Sequence, residues 1–251
     1  MTNILIGSNR YIVDAAVTAS STATGYTGNN LLTAGRWSTW CASSAGTSHT
    51  VKFDLGSGTT LACDYMVLGR ADYCIKDDDT CSFVLAGSND DSSYTNWHDS
   101  GTLTSADLVG PNDQEYAVID TASDAYRYWR LTIAYGASGT PELAKVYLGT
   151  ALDLGRDPYE IQISKTRQHF AAYKPVHEIN LAWSGVSYAS TLTLRDTVGE
   201  LKDWHPIYLL TSTYHDALLN YRAIHCRVLS LTTPQQITAF NDIRMICREL
   251  I

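Results

Sequence analysis

Few residues in this 251-residue chain are spaced for chemistry. Its seven histidines (His49, His98, His169, His177, His205, His215 and His225) stand apart, with no H-E-x-x-H pair to bind zinc. No C-x-x-C, G-x-S-x-G or phosphate-cradling glycine loop occurs. His98-Asp99-Ser100 holds the residue types of a nucleophilic triad. Adjacency does not make one, because triad side chains must converge from separate elements. No Asp or Glu pair stands at paired strand ends in a way that singles out a glycosidase. The carboxylates of Asp77-Asp78-Asp79 are consecutive and diverge, so the triplet reads as a solvated hairpin tip. The chain is accordingly expected to be non-enzymatic, with no catalytic residue, no metal site and no cofactor.

Charge and composition exclude more. Lys and Arg total 18 against 26 Asp and Glu, a net charge of -8, and no two basic residues are adjacent. A nucleic-acid surface needs a basic face, so no nucleic acid is expected as partner. Met1-Thr-Asn-Ile-Leu-Ile-Gly7 lacks the basic start and apolar length of an export segment, and no stretch reaches the length of a membrane span. The expectation is therefore no membrane insertion. The six cysteines are read as mostly reduced, although Cys74 and Cys81 flank the acidic turn and one local bridge between them stays open.

The elements that must position these side chains read as β. Sixteen tyrosines and many Ser and Thr accompany short apolar runs, broken by Gly, Asn and Asp every ten residues or so, the rhythm of a sandwich. Candidate strands are 11–18, 50–54, 65–70, 82–86, 116–120, 126–133 and 142–148. Val51, Phe53 and Leu55 alternate onto one face, which should be core. Pro158 closes a linker at 153–158. Beyond it come strands at 159–164, 176–183, 207–211, 221–231 and 237–249. A helix is expected over 188–202, with Tyr188, Leu192, Val198 and Leu201 in phase. The predicted fold is mainly β: a sandwich over 1–151 and a smaller β-rich α+β domain over 152–251.

Seven fragments of the first 150 residues stand in a familiar order: Val17-Thr-Ala-Ser-Ser21, Trp37-Ser-Thr-Trp40, His49-Thr-Val-Lys-Phe-Asp-Leu-Gly56, Met66-Val-Leu-Gly-Arg70, Phe83 to Asp91 with Trp97, Ala125-Tyr-Arg-Tyr-Trp-Arg-Leu131 and Glu142 to Gly149. This half resembles the discoidin, or coagulation factor 5/8 type C, family of galactose-binding-like jelly rolls. The resemblance implies recognition of a glycan, lipid head group or protein by loops at one end of the roll, here 26–36, 71–80 and 88–97. Its ligand candidates are Tyr26, Arg36, Tyr73, Asp78, Asn89, Asp91 and Trp97, Trp97 also reading as a lid on the core. Aromatic rings suit the apolar face of a pyranose, while amides and carboxylates suit its hydroxyls. Relatives hold calcium before the first Trp through an Asp. The run Asn29 to Trp37 has no carboxylate there, which speaks against that ion.

The second half is rich in aromatic and Arg residues, the types enriched where proteins meet. Trp183, Tyr188, Trp204, Tyr208, Arg222 and Arg227 are its interface candidates. Trp183-Ser-Gly-Val186, Trp204 to Leu209, Ala223 to Val228 and Ile246 to Leu250 loosely resemble the C-terminal part of tailed-bacteriophage tail proteins. That resemblance implies a virion structural protein of the distal tail, baseplate or adaptor, located in the virion after assembly in the host cytoplasm. Its partners would be further copies of the chain, other tail proteins and a host-surface glycan. The alternative is a soluble bacterial carbohydrate-binding module protein.

Overall fold

The computed structural model describes residues 4–8, 12–32, 38–76, 80–108, 115–155, 158, 160–166, 176–200, 207–211, 223–233 and 239–249. The protein is mainly β, as the alternation predicts, and divides into two compact units. Asn9–Thr150 form one; the strand β1 (Ile4–Ser8) joins the residues from Ala151 onward in the other. The chain passes from one unit to the other between Thr150 and Ala151, and the first strand belongs with the C-terminal unit.

The N-terminal unit is a sandwich. Its larger sheet has the order β2-β4-β9-β6-β7, formed by β2 (Ala16–Ala19), β4 (Gly46–Asp54), β9 (Tyr128–Gly139), β6 (Ser82–Ser88) and β7 (Thr95–Asp99). The smaller has the order β11-β5-β8, from β11 (Lys145–Gly149), β5 (Tyr65–Gly69) and β8 (Tyr116–Ile119). A two-residue ladder joins β3 (Trp40–Cys41) to β10 (Glu142–Leu143). All pairings are antiparallel.

Period-two patterning decides which residues fill the space between the sheets. Val51 and Phe53 of β4, Phe83 and Leu85 of β6, and Trp129, Leu131 and Ile133 of β9 are fully buried and pack with Trp40, Met66, Leu68, Val146 and Leu148. Each such side chain stabilises the fold by about 1.5–3 kcal/mol. Leu55 packs against this cluster from its margin. At the end of β4 the chain turns through Gly56, whose φ of 89° is open to glycine at no Cβ cost, and Asp54 Oδ1 accepts the Gly56 N–H at 2.9 Å.

Strand direction fixes the two ends of the sandwich. Pairing of β4 with β9 sets Gly46 opposite Gly139 and Asp54 opposite Tyr128, while β6 sets Ser82 opposite Ala134 and Ser88 opposite Tyr128. The segment before β6, carrying the short helix α1 (Asp72–Ile75), therefore lies at the Gly46 end. The segment between β6 and β7 lies at the Asp54 end. The chain leaves β2 toward the Gly46 end, since Ala16 pairs with Asp54 and Ala19 with Val51.

The second unit is one antiparallel sheet in the order β12-β1-β15-β16-β17-β14-β13. Its remaining strands are β12 (Leu152–Asp153), β13 (Glu160–Thr166), β14 (Val176–Ser187), β15 (Ile207–Thr211), β16 (Ala223–Thr232) and β17 (Phe240–Glu249). Helix α2 (Tyr188–Glu200) follows β14 directly, and Ser187 caps it by accepting the Ser190 N–H on Oγ at 3.1 Å. Its buried face is Thr191, Leu194 and Thr197, with Val198 partly buried, so the expected face is rotated and Tyr188 stands in solvent. Leu201 lies outside the described residues. Ile179, Leu181 and Trp183 of β14 and Ile243, Met245 and Cys247 of β17 alternate into this core, as their spacing predicts.

Candidate functional site

At the Gly46 end the backbone passes from strand into helix through a strained residue. Arg70 follows β5 with φ of 64°, in the left-handed region, which costs a non-glycine residue roughly 1–3 kcal/mol. That conformation turns the side chain back over α1. The guanidinium carbon lies 4.0 Å from the Tyr73 ring centroid, Arg70 Nε is 3.5 Å from Asp72 Oδ1, and Lys76 Nζ is 5.1 Å from the same ring. Arg70 Nε and Asp72 Oδ1 are both shielded from solvent, and neither has a hydrogen-bond partner among the described residues. Burial raises the Asp72 pKa, against the pull of the neighbouring guanidinium. Cation, carboxylate and aromatic ring are thus held together with bonding capacity unspent.

Tyr26 belongs to this end. Its carbonyl accepts the Cys41 N–H at 3.4 Å, Cys41 pairs with Glu142, and the Cys74 thiol of α1 donates to the Glu142 carbonyl at 3.4 Å. The Tyr26 ring is 47% exposed. Cys74 and Cys81 are free, buried thiols; burial pushes Cys81 up to about 12 and Cys74 well above its usual range. In the run where relatives hold calcium, Asn30 donates its amide N–H to the Thr39 carbonyl at 2.7 Å. Arg36, Trp37 and Asp78 lie outside the described residues.

The opposite end is bonded to itself. Asn89 accepts the Arg127 N–H at 2.9 Å and donates to the Ala125 carbonyl at 3.4 Å. Asp91, at φ of 60°, binds Lys52 Nζ through Oδ2 and the Tyr94 hydroxyl through Oδ1, each at 2.6 Å. Asp90 Oδ1 accepts the N–H groups of Ser92 and Ser93, and these bonds hold its carboxyl far below the usual range. Trp97 sits on β7, partly buried against the core, and donates Nε1 to the Thr121 carbonyl at 3.0 Å. The structure therefore brings Tyr26 and Tyr73 to one end and Asn89 and Asp91 to the other, instead of gathering all the loops expected at a single end.

His98, Asp99 and Ser100 do not converge. His98 Nε2 is 2.7 Å from the Tyr116 hydroxyl and Nδ1 is 3.8 Å from Asp120 Oδ2, and burial lowers its pKa. Ser100 Oγ accepts the Phe83 N–H and donates to the Gly101 carbonyl.

Of the interface candidates, Trp183 is fully buried in the core of its own unit, a position that follows from sharing a face with Ile179 and Leu181. Tyr188 is 50% exposed, and Phe240, which pairs with the preceding Ser187, is 67% exposed. Arg227 is exposed on β16, and Tyr208 lies on β15. Trp204 and Arg222 lie outside the described residues.

No family model and no curated protein matches the chain. Solved structures similar to it include the Ruminococcus gnavus GH29 fucosidase in complex with fucose, at 16% identity and TM-score 0.45, covering 56% of this chain and 26% of that one. Also similar is CpGH89CBM32-5 from Clostridium perfringens, in complex with GalNAc-β-1,3-galactose, at 12% identity and TM-score 0.42, covering 54% and 95%. A third is the chitosan-binding module 2 of a Paenibacillus chitosanase/glucanase, in complex with chitotriose, at 15% identity and TM-score 0.43, covering 56% and 99%. The likeness is one of fold. The chain spans about a quarter of the fucosidase's length. Arg70, Asp72 and Lys76 went unmarked in the sequence, although Arg70-Ala-Asp-Tyr73 after an apolar strand sets all three chemistries within four residues.

Proposed function

We propose that the sandwich is a carbohydrate-binding module that takes a glycan at its Gly46 end and does no chemistry on it. The observation that carries this reading is the Arg70–Asp72–Tyr73 arrangement. The guanidinium can donate to sugar oxygens through its Nη groups, the half-buried carboxylate can accept a hydroxyl through Oδ2, and the rings of Tyr73 and Tyr26 offer faces for pyranose C–H groups. The test is calorimetric titration of the full chain with galactose, N-acetylgalactosamine and fucose. Saturable binding lost in Arg70→Gln supports the reading; binding untouched by that change, or none to any sugar, overturns it.

A second reading, favoured by the two exposed aromatic residues Tyr188 and Phe240, makes the C-terminal unit an assembly domain of a tailed-phage virion protein, joining copies of the chain and other tail proteins. Light scattering tests it: a closed oligomer broken by Tyr188→Ser with Phe240→Ser supports assembly, and a monomer at all concentrations overturns it.

A further inference from the structure

The outer face of the five-stranded sheet carries cations that its carboxylates do not balance. Lys52 of β4 stands directly opposite Arg130 of β9, a like-charge pairing that destabilises a sheet unless an anion lies between. Asp91 pairs with Lys52, at 2.6 Å. Asp54 is taken by Arg127, through Nε at 2.8 Å and Nη2 at 2.9 Å. The Arg130 side chain has no carboxylate partner among the described residues. Its guanidinium carbon rests 3.8 Å from the Tyr94 ring centroid, and its Nε is buried without a partner. On the same face the Tyr128 ring lies 4.6 Å from the Arg127 guanidinium and 5.8 Å from Lys52 Nζ. A chain of net charge -8 has kept here one guanidinium that no acid among the described residues neutralises, resting on the Tyr94 ring.

We propose that this face is a second binding site, separate from the Gly46 end, for an acidic polysaccharide: Arg130 and Lys52 receive the carboxylate of a uronic acid residue, and Tyr94 and Tyr128 border the sugar ring. A guanidinium already held on an aromatic face loses little freedom on binding and presents its Nη groups as a fork to a carboxylate. Tyr94 is itself fixed by its 2.6 Å bond to Asp91, so the support does not depend on the ligand. The choice of a saccharide rests on the carbohydrate reading above; the anionic requirement rests on Arg130 itself.

The experiment uses the full chain in affinity electrophoresis through polygalacturonate and through its fully methyl-esterified form, at low and at raised salt. Expected is retardation by polygalacturonate that weakens with salt, at least tenfold weaker retention in Arg130→Gln, partial rescue in Arg130→Lys, and little retention by the ester. Arg70→Gln should keep this retention while losing neutral-sugar binding. Equal retention of Arg130→Gln and wild type, or equal binding of acid and ester, overturns the sheet-face site and leaves the Gly46-end reading standing. Retention abolished by Arg70→Gln alone places the acid at the other end and overturns it too. Neutral-sugar binding indifferent to Arg70→Gln, with Arg130-dependent retention intact, overturns the first reading and keeps this one. A melting curve of Arg130→Gln matching wild type shows that the fold survives, and Lys52→Gln supplies an independent variant for which a several-fold loss is expected.

Discussion

Arg127 grips Asp54 with two parallel hydrogen bonds, Nε to Oδ1 at 2.8 Å and Nη2 to Oδ2 at 2.9 Å. The pair ties the end of β4 to the start of β9, 73 residues along the chain. Its main effect on Asp54 is to lower the carboxyl pKa, helped by the Gly56 N–H. A carboxyl whose folded pKa is depressed contributes stability above its unfolded pKa, about 4, and loses it as pH falls through the folded value. Thermal melts from pH 7 to 2 should therefore decline below about pH 4, and Asp54→Asn should melt lower at neutral pH with a shallower acid decline. Parallel curves for the two proteins would refute the linkage.

Tyr73 supports Arg70 from below and meets solvent on its margin. Tyr73→Ala should weaken sugar binding on the order of tenfold, the loss of one aromatic contact and of the cation it holds. The melting temperature should move little, because Tyr73 is only partly buried. Tyr73→Phe should retain most binding, and calorimetry on the three proteins separates ring from hydroxyl.

Gly87 lets β6 pass beneath the Tyr126 ring, where any Cβ would collide with ring carbons. Gly87→Ala should cost about 1–3 kcal/mol in urea unfolding of the sandwich. Pairing it with Tyr126→Leu should recover part of that loss, since a smaller side chain clears the space; a double variant no better than the single one would show the clash lies elsewhere.

Removal of residues 1–8 takes β1 from between β12 and β15. The buried Ile6 leaves the C-terminal core with it. Limited proteolysis should then cut the C-terminal unit much faster while the sandwich persists as a protected fragment, and equal resistance of both units would contradict the pairing.

Alternation made the core strands legible: Val51 and Phe53, and Ile243, Met245 and Cys247, point inward as their spacing requires. The strand β1 was not legible, because Ile4-Leu-Ile is short and its partners lie at the far end of the chain, where no local pattern reports them. The helix 188–200 was found but turned, since Thr191 and Thr197 are buried beneath it and the apolar positions alone mark a different stripe. The site loops were misgrouped for a reason readable in advance. Segments 71–80 and 88–97 flank the single strand β6, and the two ends of one strand cannot open onto the same side.

The pairing of β1 with both β12 and β15 also sets an order of manufacture. A ribosome delivers Ile4–Ser8 ahead of β15, which emerges about two hundred residues later, after the whole of Asn9–Thr150 has been synthesised. Until then a short apolar edge waits in the nascent chain, a template for the wrong neighbour as much as for the right one.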